Sequence, residues 1–200
     1  MEKKNMWSFK FTTASLVLIP AAVGINYIGK LIAASLKLPL WLDAIGTTLA
    51  SILAGPIIGA ISGAVNNIIY GLTADPVSFV YAVSSIAIGI TVGIMAYKGW
   101  MDSIGKAIIT GLLVALVSAI VSTPINIGFW GGQTGNLWGD ALFAYLTKSG
   151  SPLALASFLD ELVVDLPDKV ATIVIAFLIF KGLPKKLTLL YNNNSEIEKL

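Results

Sequence analysis

Apolar residues gather into six segments along the chain, at roughly 11–36, 42–54, 56–72, 78–98, 104–128 and 154–182, with polar stretches between them. A bilayer core of about 30 Å takes ~20 apolar residues per helix, and fewer where partners shield the ends. The pattern therefore predicts an all-α integral membrane protein, with six transmembrane helices in a compact bundle over residues 1–187 and a polar C-terminal tail over 188–200. The second and third segments meet at "AGPIIG", where Pro56 can start a helix but sits badly inside one. One kinked helix over 42–72 would be about 46 Å long. That exceeds one membrane thickness, so a tight helical hairpin is expected.

Composition strengthens this reading. Hydrophobic residues make up 56% of the chain and charged residues 12%, and the mean hydropathy is +0.84. The basic N-terminus "MEKKNMWSFK" resembles a signal-peptide start, but the apolar run after it continues to Leu36 without a small-x-small cleavage site, so a retained first span is expected. There is no cysteine and no histidine, and all 13 basic residues are lysine. That removes thiol chemistry, the commonest metal ligand and the residue best suited to bidentate phosphate recognition. No cofactor and no metal are expected, and a net charge of +2 gives no reason to expect nucleic acid.

Lysine placement orients the spans. Lys3, Lys4, Lys10, Lys98, Lys106, Lys181, Lys185, Lys186 and Lys199 fall on one side; Lys30, Lys37 and Lys148 fall on the other. Both termini are thus expected to be cytoplasmic, in a multi-pass protein of a bacterial cytoplasmic membrane. The outer loops are then "KLPLW" near 37–41, "TADPVS" at 73–78 and a long one at 130–152. Long loops in compact bundles are functional or disordered, and Trp130, Trp138, Phe143 and Tyr145 favour order here. Its "WGDALFAYL" reads as a short interfacial helix, with Trp138 either at a site or in an aromatic belt.

Small residues recur at intervals of four in Ser51, Gly55, Gly59, Gly63 and in Ser85, Gly89, Gly93. Such rows mark close helix contacts in lipid, either within the bundle or with another membrane protein. Polar residues inside a membrane are expensive and mark cavities, partners or sites. At 1.5 Å per residue, Asn66 and Asn67 lie near mid-membrane. Asn26, Tyr27, Tyr81, Ser84, Ser85, Ser122, Thr123 and Asn126 lie further out. On the last segment Glu161, Asp165, Asp168 and Thr172 share a face, and Asp165 precedes Lys169 by four residues, in the favoured order for an ion pair. Pro167 frees the carbonyl of Val163, which is tolerated beside a cavity. Convergence of these groups on one depth implies an outward-facing cavity. Asp165 and Lys169 either serve it or only neutralise each other.

"AGPIIGAISGAVNNIIYGL" (54–72) and "VDLPDKVATIVIAFLIFKGLPKKL" (164–187) resemble the S component of energy-coupling factor (ECF) transporters, the ABC importers of vitamins and other micronutrients. The likeness spans about residues 10 to 187. It implies a non-enzymatic substrate-binding subunit that captures a micronutrient from outside and works with a transmembrane coupling subunit and two cytoplasmic ATPases. It also implies a pocket formed by helices four to six and closed by the loop after helix one. Carried onto this chain, the site comprises Trp41, Tyr81, Ser84, Asn126, Trp130, Trp138, Glu161, Asp165 and Asp168, to which the polar pattern adds Asn67. The family's Ala-x-x-x-Ala docking pair is missing from helix one, where Ala14, Ala21 and Ala22 are followed at four by Leu18, Ile25 and Asn26. The row Gly55, Gly59, Gly63 is the candidate replacement.

Aromatics at the mouth can stack a ring, and carboxylates without arginine favour a neutral or cationic, donor-rich ligand. The alternative function is a small membrane enzyme acting on a lipid or isoprenoid phosphate. It lacks the basic residues that such sites use to clamp phosphate.

Overall fold

A computed structural model describes residues 12–192. The expectations for Lys3, Lys4, Lys10, Lys199 and the last part of the tail lie outside the described residues. The chain is all-helical there: α1 (Thr13–Ser35), α2 (Ile45–Ala54), α3 (Pro56–Thr73), a 3₁₀ turn (Pro76–Phe79), α4 (Ala82–Tyr97), α5 (Ile104–Trp130), α6 (Leu137–Lys148), α7 (Leu153–Gly182) and α8 (Lys185–Asn192). Among the described residues, α1 and α5 are the two helices long and apolar enough, by length and composition, to cross a membrane. The six apolar segments thus became helices, α6 formed inside the long loop, and α8 crosses the expected tail boundary at 188.

The hairpin between α2 and α3 is present. Gly55 takes φ 91°, a conformation open to glycine, and Pro56 opens α3 at a position where its missing N–H costs nothing. Ser51 and Gly59, four residues either side of the turn, lie in contact. A continuous helix would hold them about 12 Å apart. Prolines at 20, 124 and 167 break nothing: α1, α5 and α7 run through them.

Neighbouring helices meet where side chains are smallest. A β-carbon on Gly89 would strike the backbone of Gly59, one on Gly93 would strike Pro56, and one on Gly63 would strike Ser85. Ser51 Oγ also donates to the Gly89 carbonyl at 3.0 Å. The two small-residue rows therefore pack against each other. Gly59 and Gly63 are buried against α2 and α4, so these two are taken up inside the bundle rather than free for a partner, while Gly55 at the turn is half-buried.

α1 and α2 close on each other through Gly46 against Ala22, and α5 and α7 through Gly111 against Val170. These contacts run antiparallel, so the C-terminal ends of α1, α3 and α5 gather with the N-terminal ends of α2, α4 and α7. α6 packs on the first part of α7 at that same end, Gly139 against Asp160. The opposite end holds the start of α1, the finish of α7, and α8. There Leu18, Ala22, Leu49, Leu53 and Ile58 form an apolar cluster joined by Tyr191.

The distribution of polarity is unusual. Buried positions include Thr47, Thr48, Ser62, Asn66, Ser118 and Asp165, whereas Leu16, Val17, Leu31, Leu112, Leu116 and Ile120 are exposed along α1 and α5. Apolar surface is thus exposed along α1 and α5.

Candidate functional site

The site starts with how α2 begins. Its first-turn N–H groups have no partner within the helix, and its own N-cap, Ala44, offers no side-chain acceptor. Asn26 on α1 supplies one: its Oδ1 accepts from Gly46 N at 2.6 Å and Thr47 N at 3.2 Å, while its Nδ2 donates to Thr47 Oγ1 at 2.9 Å. The preceding loop is held from the other side. Trp41 N and Leu42 N donate to Asp168 Oδ1 at 2.9 and 2.8 Å. That loop has Lys37 and Leu42 at positive φ, 50° and 49°. Side chains disfavour this conformation, so anchoring by Asp168 helps to fix it.

Asp168 also takes Lys169 on its second oxygen, Nζ to Oδ2 at 2.6 Å. Lys169 Nζ lies 3.3 Å from Asp165 Oδ1 and 3.9 Å from Asp43 Oδ1. One buried ammonium thus stands among three carboxylates, two from α7 and one from the loop before α2. Asp165 is the odd member. It is 1% exposed, and although the Ser118 hydroxyl stands beside it, no hydrogen bond of good geometry reaches either oxygen.

A cavity of about 750 Å³, its open mouth included, lies at this end of the bundle. Asp43, Glu161, Asp165 and Lys169 line one side, Lys30, Asp75 and Ser78 another, and Trp41, Tyr81 and Ile88 contribute apolar or aromatic surface. Its serines are organised: Ser84 Oγ and Ser122 Oγ share a hydrogen bond at 2.8 Å, and Asn67 Nδ2 donates to Ser85 Oγ at 2.5 Å and to the Gly63 carbonyl at 3.1 Å. Tyr81 OH donates to Asn126 Oδ1 at 2.5 Å, and Asn126 Nδ2 donates to Glu161 Oε2 at 2.8 Å. Beneath Ile88 lies a hydrophobic cluster that includes Val92, Val114, Ile173 and Phe177, with the hydroxyls of Thr110 and Thr172 buried in the neighbouring turns of α5 and α7.

Of the ten candidate binding residues, Trp41, Asn67, Tyr81, Ser84, Glu161 and Asp165 line this cavity. Asn126 is fully buried one layer behind, orienting Glu161 and Tyr81. Asp168 is spent on the loop and on Lys169. Trp130 stands on the surface at 40% exposure, near Phe129 and Tyr81, outside the lining. Trp138 on α6 is 67% exposed and also outside it. Trp138 is carried by α6, which packs on α7 through Gly139 and leaves Trp138 on its outer side; Trp130 ends α5.

Sequence reasoning missed Lys30, Asp43 and Asp75 as cavity residues. Lys30 carried a signal, since a charge in an apolar helix suggests function by default, yet it served only to orient the spans. Asp43 looks like a helix cap by position, but it faces Lys169. Asp75 caps the 3₁₀ turn, its Oδ1 accepting from Val77 N at 3.1 Å. Among the described residues no cluster of three potential metal ligands of the His, Cys, Asp or Glu type has metal-binding geometry. Comparison with family models, curated proteins and solved structures finds no match for this chain.

Proposed function

We propose that the protein is the substrate-binding membrane subunit of an importer of the energy-coupling factor type, capturing a small micronutrient for ATP-driven uptake. In this reading the bundle crosses a bacterial cytoplasmic membrane six times, with the cavity opening outward and both termini inside. A transmembrane coupling subunit and two cytoplasmic ATPases supply the energy.

The observation that carries the proposal is a polar, charged cavity confined to one end of a bundle whose lateral surface is apolar. Lipid would cover Leu16, Val17, Leu112, Leu116 and Ile120 at no cost, whereas water would not. Lys30, Lys37 and Lys148 lie at the cavity end and Lys98, Lys106, Lys181, Lys185 and Lys186 at the other, which agrees with an outward cavity under the positive-inside rule. Below Ile88 the buried side chains are mainly apolar with a few hydroxyls and no charge, a poor route onward for a polar solute. Such a chain binds but needs a partner to complete transport. The resemblance of segments 54–72 and 164–187 to S components supplies the kind of partner.

The test is affinity purification of the tagged protein from its native membrane in mild detergent, with mass spectrometry of the proteins and small molecules retained. Recovery of ATPase and coupling subunits with a bound micronutrient is the expected result. Recovery without either, together with metal-dependent hydrolysis of an isoprenoid diphosphate by the isolated chain, would replace transport by the enzyme reading.

A further inference from the structure

Two groups in the cavity are left with unused capacity, and they have opposite character. Asp168 accepts two backbone N–H bonds and the closest contact of Lys169, so its oxygens are occupied. Asp165 sits 3.3 Å from the same ammonium and is 1% exposed; the Ser118 hydroxyl stands beside it, but no hydrogen bond of good geometry reaches either oxygen. An ionised carboxylate accepts about four hydrogen bonds, and leaving a buried one without donors is costly. Lys169 is thus committed mainly to Asp168, and Asp165, a residue of the cavity lining, keeps unused acceptor capacity at its deep end.

Lys30 is the counterpart. Among the described residues no carboxylate lies within 4.0 Å of its ammonium. It rests over the Tyr70 ring at 3.7 Å and touches Ser78 Oγ at 3.5 Å, a long hydrogen bond. Both contacts are weak for a cation. Lys30 is half-buried, whereas Asp165 is almost fully buried. Trp41, Tyr81 and Ile88 offer flat or apolar surface in the same cavity.

We infer that the cavity takes a small bipolar ring compound, with an amidine-like pair of N–H donors on Asp165 and an anionic or strongly accepting group on Lys30. Rings would stack on the aromatic wall. The inference rests on the binding-subunit reading and narrows its ligand class. A purely cationic compound would leave Lys30 unused, and a purely anionic one would face Asp165.

The experiment is isothermal titration of the full chain in detergent with 4-amidinobenzoate, benzamidine and benzoate, up to millimolar concentration. 4-Amidinobenzoate should bind about tenfold or more tighter than either monopolar probe, as expected for one additional charge-assisted hydrogen bond. Asp165→Asn should weaken both amidine probes by about tenfold. Lys30→Gln, at a half-buried position, should erase the preference for 4-amidinobenzoate over benzamidine. It keeps the proposal exposed to test should Asp165→Asn fold poorly. Equal binding of 4-amidinobenzoate and benzamidine, or tighter binding of benzoate, would overturn the bipolar class and leave a small-molecule site standing. If a folded chain binds none of the three, the pocket reading falls with it.

Discussion

The two ends of the bundle solve the problem of burying polar atoms in different ways. At the far end, the polar atoms being buried belong mostly to the main chain. Helices satisfy them internally, and glycines let α2, α3 and α4 approach until backbone meets backbone. At the cavity end the buried polar atoms are side chains, and they are satisfied by partners distant in sequence: Asn26 with α2, Asp168 with the loop at 41–42, Asn126 with Glu161. The first solution yields a rigid base. The second yields a chamber in which an incompletely satisfied group such as Asp165 can be stored, because the rest of the bundle holds it in place.

Substitutions should separate the two ends, the far end responding in stability and the cavity end in local order or binding. The largest effect is expected for Gly89→Leu, where the new β-carbon would occupy the backbone of Gly59. Overpacking of this kind should cost upwards of about 3 kcal/mol, read as loss of monodisperse protein in detergent or a large fall in melting temperature. A variant as stable as the parent would show that the rows do not bear on each other. Asp168→Ala comes next, at about 3 kcal/mol, since it strands two N–H groups and removes the nearest partner of Lys169. Hydrogen exchange should accelerate at the Trp41 and Leu42 amides, and Asp168→Asn, which keeps an acceptor oxygen, should restore part of their protection. If those amides stay protected in the alanine variant, the anchoring role is wrong.

Tyr81→Phe should cost about 1 kcal/mol by deleting the hydroxyl that donates to Asn126. A melting curve reads it; no change would mean that Asn126 holds Glu161 unaided. The smallest effect, under about 0.5 kcal/mol in stability and no resolvable change in ligand affinity, is expected for Trp138→Ala, whose side chain is exposed and outside the cavity. A marked loss of affinity would place α6 over the cavity mouth in the bound state.

Much of the architecture was legible without coordinates. The apolar segments, the break at Gly55-Pro56 and the short helix at 137–148 follow from run length, proline geometry and aromatic content. All of these are local properties. The polar constellation was legible in outline for the same reason: a serine, asparagine or aspartate in an apolar helix stands out wherever it is. Its internal division was not. Trp130 and Trp138 were assigned to the site by the family resemblance, yet Trp138 lies outside the cavity on α6 and Trp130 outside it at the end of α5. Gly59 and Gly63 read equally well as an inner or an outer contact, until α4 was found to cover them.

The sequence by itself determined which stretches are helical, which of them carry polar groups, and that these groups crowd toward one end. Those are consequences of composition over a few turns of chain. Only the tertiary structure decided how each charge is used, because that depends on contacts between residues far apart: Asp168 meets Trp41 across 127 positions, and Lys169 meets Asp43 from the same loop. Asp165 and Lys30 were left over by those pairings. No spacing rule along the chain could have distinguished the carboxylate that anchors a loop from the one three residues earlier that faces an open cavity.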